Sequence, residues 1–90
     1  MKYFDWNKDK NEVLKANRKI SFEDIIYAIE HNKVVNIIKH PNSAKFPNQS
    51  IFYIHLDNYI YAVPFVEDEE KIFLKTIYKD RIAKKKYLGG

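Results

Sequence analysis

Two short apolar runs, Ile51 to Leu56 and Tyr59 to Val66, flank the dipeptide Asp57-Asn58, and this segment constrains the fold more than any other. Asp and Asn both tolerate the positive φ that a tight two-residue connection demands at its centre. The pattern therefore predicts an antiparallel β-hairpin. Side chains alternate across a strand, so pairing through a two-residue turn gathers Phe52, Ile54, Leu56, Tyr59, Tyr61 and Val63 on one face. Tyr53, His55, Ile60 and Ala62 fall on the other.

The chain before the hairpin reads as helical. Asp5 or Asn7 caps a first helix over about Lys8 to Arg18, with Trp6 packing at its start and Lys10, Val13, Leu14 and Asn17 at three- and four-residue spacings. Ser21-Phe22-Glu23-Asp24 resembles a capping box with Asp in the usual Glu or Gln position. The second helix that it opens carries Phe22, Ile25, Ile26 and Ile29 on one stripe and ends near His31-Asn32. Val34 to Ile38 is β-branched and short, a strand, and Pro41 and Pro47 punctuate a loop from His40 to Gln49.

Beyond the hairpin, Glu67-Asp68-Glu69-Glu70 forms an acidic turn, Lys71 to Tyr78 a fourth strand, and Lys79 to Leu88 a short basic helix. The 90 residues make one domain, residues 1–90. The expected fold class is α+β: two N-terminal helices packed on one face of a four-stranded, mainly antiparallel sheet, with a short basic C-terminal helix.

Composition narrows the chemistry. There is no cysteine, so neither a disulfide nor a thiolate metal site can form. Both glycines are terminal, so no phosphate loop, nucleophile elbow or dinucleotide fingerprint can be built. His31, His40 and His55 never fall at ligand spacing on one element, and no metal or other cofactor is expected. His31 suits the C-terminus of the second helix, where a cation is favoured, and His55 is either a sheet histidine or a general acid or base. No apolar run approaches the roughly 18 residues that span a bilayer, and the N-terminus lacks a signal h-region. The expected location is cytoplasmic.

Charge is unevenly placed. The whole chain carries +4, yet residues 71–90 hold seven basic side chains against Asp80 alone, so the first seventy residues are net negative. A local cationic surface attracts polyanions by Coulomb steering and counterion release. An RNA or an acidic protein is the partner this distribution suggests. Arginine's planar fork suits bidentate phosphate contacts, and the chain has only two, Arg18 and Arg81.

Phe4-Asp5-Trp6 with Lys10 four residues on, then Ile20-Ser21-Phe22-Glu23-Asp24, and finally Arg81-Ile82-Ala83 with Tyr87 six residues after the arginine, resemble the BrnT family of type II toxin-antitoxin toxins. The match runs in order along most of the chain. The resemblance implies a RelE-like fold, RNA cleavage without metal, and neutralisation by a small antitoxin such as a ribbon-helix-helix protein, in a homo- or hetero-oligomer. Asn17-Arg18-Lys19 stands where the family pattern has Lys-His-Gly, so no histidine role carries over. Only Arg81 carries over directly.

Cutting RNA without metal needs a base for the 2′-hydroxyl proton, cations for the charged transition state, and an acid for the leaving oxygen. Lys75, Tyr78, Lys79 and Arg81 are the catalytic candidates, grouped at one sheet edge, with Tyr78 able to stack on a base or donate a proton. Arg81 has an alternative as an ion-pair partner of the acidic loop. Lys10 and Arg18, eight residues apart and on roughly one helical face, together with Lys84 and Lys85, are the candidate RNA-binding cations. The competing reading is a non-catalytic module that binds RNA or an antitoxin through the same basic end. A third is an interface built on the hairpin tyrosines Tyr59 and Tyr61.

Overall fold

The computed structural model describes residues 2–89. Its elements are β1 (Tyr3–Trp6), α1 (Lys8–Arg18), α2 (Phe22–Glu30), β2 (Val34–Lys39), β3 (Gln49–Leu56), β4 (Tyr59–Glu67), β5 (Lys71–Leu74), β6 (Tyr78–Lys79) and α3 (Arg81–Leu88). The sheet runs β1-β5-β4-β3-β2, with β6 paired to β4 beside β5. The class is α+β, as expected.

The β3–β4 hairpin has the register that its turn dictates. Leu56 faces Tyr59, Ile54 faces Tyr61 and Phe52 faces Val63. Asp57 and Asn58 both take the left-handed conformation, φ 54° and 60°, the pattern whose twist matches that of the flanking strands. Phe52 and Phe65, diagonal neighbours on this face, stack at 4.1 Å.

The connection between α1 and α2 is held by polar groups. Asn7 caps α1 by accepting from Lys10 N. Ser21 and Asp24 form the reciprocal capping box on α2. Asn11, buried on α1, accepts from Phe22 N at 2.8 Å and donates to Glu23 Oε1 at 2.7 Å. The Asn11 and Ser21 oxygens thereby satisfy the Phe22 and Asp24 amides at the start of α2, which have no partner within the helix.

Leu14, Ile20, Phe22, Ile25 and Ala28 then cover the sheet face that carries Phe52, Ile54, Tyr61, Val63, Phe65, Leu74 and Ile77. The expected α1 stripe is corrected here: Val13 is exposed, and Asn11 with Leu14 make the buried line.

Three parts of the expected architecture change. The sheet has six strands rather than four. Residues 3–6, read as the approach to a helix, form β1, which lies parallel to β5 from Tyr3↔Lys71 to Trp6↔Leu74. Trp6 stacks on Phe22 at 5.9 Å from that strand.

The expected strand Lys71 to Tyr78 is broken in two. Lys75 N donates to Pro64 O at 2.8 Å, continuing the register of Phe65↔Leu74. Such a pair ordinarily exchanges two bonds, and Pro64 has no N–H to give back. Pairing resumes at Ala62↔Tyr78 and Tyr61↔Lys79, displaced by one residue, so the segment 75–77 holds a bulge.

The helices also divide between the two faces. Ile60 and Ala62, on the far side from α1 and α2, are fully buried, and α3 packs on β4 there. Asp80 caps α3 by accepting from Ala83 N at 2.9 Å, while its own amide extends the β4 pairing to Ile60 O. Tyr87 ties α3 down by accepting from Asn36 Nδ2 at 2.7 Å and packing on Tyr53.

Candidate functional site

At the bulge the C-terminal end of α1 meets the broken strand. Arg18, the last residue of α1, donates from Nη1 to the Ile77 carbonyl at 2.6 Å. Ile77 is fully buried, so its carbonyl is a group that needs a partner, and the guanidinium supplies it with an ionic donor. After Arg18 the chain turns through Lys19 at φ 57°, ψ 33°, a left-handed C-cap of the kind glycine favours.

Asn17, Arg18 and Lys19 on one side, and Tyr61, Tyr78 and Lys79 on the other, line an open cleft of about 480 Å³. Three of its six lining side chains are cationic. Lys79 is the register partner of Tyr61, and its Nζ lies 5.1 Å from the centre of the Tyr59 ring. Lys84, reaching from α3, sits 4.8 Å from the same ring, and Tyr59 packs against Tyr61 at 6.3 Å. Both ammonium groups gain cation–π attraction from the one ring.

None of these cations is in an ion pair among the described residues. The pairs present are Lys2–Glu67, Lys15–Glu12 and Lys71–Asp5, all away from the cleft. Arg81 is likewise unpaired among the described residues, and Glu67 of the acidic loop is taken by Lys2 at 2.6 Å.

Tyr61 is the most enclosed polar residue of the cleft, 7% exposed. Burial pushes its phenol above the ordinary range, with Asp57, Tyr59 and Asp24 adding smaller contributions. It is therefore a hydrogen-bond donor at neutral pH. On the α3 side, Tyr53 is raised by burial first and then by Asp80, Tyr78 and Tyr87.

Of the residues singled out from sequence, Arg18, Tyr78 and Lys79 share the cleft, and Lys84 joins through Tyr59. Lys75 is exposed at the bulge, and Arg81 is exposed at the first turn of α3. Neither is among the residues that line the cleft. Lys10 and Lys85 are exposed and also outside it. Lys10 and Arg18 sit at opposite ends of α1. Shared helical phase therefore did not bring them to one site.

Sequence reasoning did not select Asn17, Lys19 and Tyr61 for this role. Tyr61 carried a readable signal: a phenol at a core-facing strand position must send its hydroxyl somewhere polar. Lys19 carried none, since its placement follows from the C-cap.

The histidines stand apart. His31 Nδ1 lies 2.7 Å from the Tyr27 carbonyl at the end of α2 and its ring stacks on Tyr27, consistent with a helix-terminal role. His55 N donates to Lys33 O at 2.8 Å, holding β3 to the segment before β2. No histidine or carboxylate lines the cleft, and among the described residues no trio of His, Asp or Glu converges on a metal position.

A second opening, about 500 Å³, lies between Lys2, Lys39 and the acidic residues Glu67 to Glu69. Its opposite charges are already neighbours. No helix among the described residues is long and apolar enough to cross a membrane. No family model, no curated protein and no solved structure matches the chain.

Proposed function

We propose that this protein is the toxin of a type II toxin-antitoxin pair, a cytoplasmic, metal-independent endoribonuclease of RelE-like fold that grips RNA through its cationic cleft. The observation that carries the reading is the convergence of Arg18, Lys19 and Lys79 with Tyr61 and Tyr78 in one cleft, with Lys84 beside it. Cations without carboxylate partners stabilise phosphate charge, and aromatic rings beside them suit unstacked bases.

A local detail supports the BrnT resemblance. Lys19 occupies the glycine position of the family's Lys-His-Gly, and its backbone is left-handed, the conformation glycine adopts without steric cost. Arg81, which opens α3 two residues after Lys79, lies outside the cleft lining and adds a further cation to the same basic end of the chain. The natural inhibitor on this reading is a small antitoxin, such as a ribbon-helix-helix protein, in a hetero-oligomer that covers the basic surface.

Induced expression in a bacterial host tests it, with total RNA examined alongside growth. Wild-type induction is expected to arrest growth and fragment RNA, and Lys79→Ala and Arg81→Ala are expected to relieve both. Growth and intact RNA with soluble wild-type protein present would sink the enzyme reading.

The lack of a histidine or carboxylate in the cleft favours one alternative, a module that binds RNA or an antitoxin without cutting. Histidine and carboxylates are the usual side chains for taking a 2′-hydroxyl proton, and neither lines the cleft. Purified protein that binds labelled RNA and leaves it intact over hours would decide for that alternative.

A further inference from the structure

Tyr61 presents a combination that packing does not explain. It lies on β4 in the interior of the sheet, opposite Ile54 on one side and Lys79 on the other, and is 7% exposed. Its neighbours on the same face, Val63 and Phe65, are apolar core residues, and a phenylalanine would fill the same space. Among the described residues the hydroxyl has no protein hydrogen-bond partner, and its perturbation comes from burial and nearby charge with no bonding contribution.

No buried side-chain oxygen or nitrogen lacks a partner among the described residues. The phenol oxygen is therefore reachable from outside, and Tyr61 is one of the residues that line the cleft with Arg18, Lys19, Tyr78 and Lys79. Beyond burial, Asp57 and Asp24 act on the phenol from outside the cleft, but the cleft lining itself holds three cations and no carboxylate. A nearly buried donor without a protein acceptor on such a lining is complementary to a tetrahedral oxyanion carrying several acceptor oxygens.

We propose that the floor of this cleft is a phosphoryl-oxygen subsite in which Tyr61 donates its O–H to a non-bridging oxygen while Lys79, steadied on Tyr59, supplies the positive charge. The subsite rests on the RNA-binding reading given above and deepens it by naming the contact group. Tyr78 belongs with Ala62 on the opposite face of the sheet and is 38% exposed, so it forms a wall that water reaches freely. A donor held in a poorly hydrated place discriminates between ligands with and without an acceptor more strongly than one in open solvent.

Arg18 has a different part. Its guanidinium is engaged with Ile77 O, one residue before Tyr78, so it acts as a positioning residue that fixes the bulge from which Tyr78 and Lys79 project.

The test uses the whole protein and two probes: pyrophosphate, followed by NMR at the Tyr61 and Lys79 amides, and a fluorescein-labelled single-stranded RNA dodecamer, followed by anisotropy. Tyr61→Phe keeps the ring and removes only the hydroxyl, and Lys79→Met removes the charge at an exposed position. Each is expected to weaken pyrophosphate binding about tenfold, the scale of one hydrogen bond or contact to a charged group, with thermal midpoints close to wild type.

Wild-type and Tyr61→Phe proteins that bind pyrophosphate equally, or a wild type that shows no saturable shift, overturn the subsite. Tyr61-dependent pyrophosphate binding without RNA binding keeps the subsite and removes the nucleic-acid reading. RNA binding indifferent to Tyr61→Phe keeps that reading and removes the subsite. If Tyr61→Phe proves unfolded by circular dichroism, Lys79→Met carries the decision alone, and unchanged pyrophosphate affinity in it refutes the proposal.

Discussion

Replacing Asn11 by alanine removes both contacts of a side chain that is 3% exposed. The first is with Phe22 N, which donates to Asn11 Oδ1 at 2.8 Å. Phe22 is fully buried and its amide is at the start of α2, where no intrahelical acceptor exists. Leaving that donor unpaired costs about 1–3 kcal/mol.

The second contact, from Asn11 Nδ2 to Glu23 at 2.7 Å, adds only about 0.5 kcal/mol, because water can replace it at an exposed carboxylate. The sum, about 1.5–3.5 kcal/mol, lowers the melting temperature by roughly 6–28 °C in a domain of this size. Urea unfolding is conveniently read through Trp6, the sole tryptophan, which stacks on Phe22 beside the lost bond. The midpoint should fall with an unchanged slope.

Asn11→Asp sharpens the test. Its carboxylate still accepts from Phe22 N and now confronts Glu23 across the former hydrogen bond. Two like charges there raise a carboxyl pKa in the folded state. Stability relative to wild type is then lost as pH rises through that value and recovered as pH falls. The Asp variant should therefore approach wild-type stability below about pH 4, under the ordinary carboxyl range. Asn11→Ala within 0.5 kcal/mol of wild type, or an Asp variant with no pH-dependent recovery, would refute this account of the α1–α2 junction.

Lys19→Gly should stabilise the protein by about 0.5–1 kcal/mol, since a left-handed non-glycine residue is strained, and should reduce the salt dependence of RNA binding by about one charge; thermal melts and titrations at two salt concentrations check the pair. Asp80→Ala should cost about 1 kcal/mol by removing the α3 cap, with faster amide exchange at Ala83 and Lys84. The Glu23 carboxyl is held below its usual range, first by Asn11 and then by its own backbone amide, and Asp68 by the Lys71 and Glu70 amides. For both, the stabilising contribution is present above the unfolded-state carboxyl pKa and lost as pH falls through the folded value, so Glu23→Gln should flatten the acid limb of a stability–pH curve.

The Asp57-Asn58 hairpin, the capping box at Ser21 and the stripe Phe22, Ile25 and Ile29 were legible because each is a local device. A turn sets its own register, and a capping side chain reaches only three residues. Tyr3 to Trp6 was misread for the opposite reason: a four-residue strand has no periodicity to display, and its partner β5 is 68 residues away. The strand break at 75–77 was invisible from its own residues. Its cause, Pro64, lies across the sheet, and only the register puts Lys75 opposite it.

The candidate site divides along the same line. The sequence by itself determined that positive charge gathers at the C-terminal end, that the hairpin carries tyrosines, and that Arg18 and Lys79 are cations worth following, because composition and alternation need no partner in space. Tertiary structure alone decided that Arg18 meets Ile77, that Lys19 and Tyr61 belong to the cleft, and that Lys10, Lys75, Lys85 and Arg81 lie outside its lining. Side chains converge when their elements pack, and the one-residue bulge set by a missing N–H on Pro64 shifts which residues of the last strand face Tyr61.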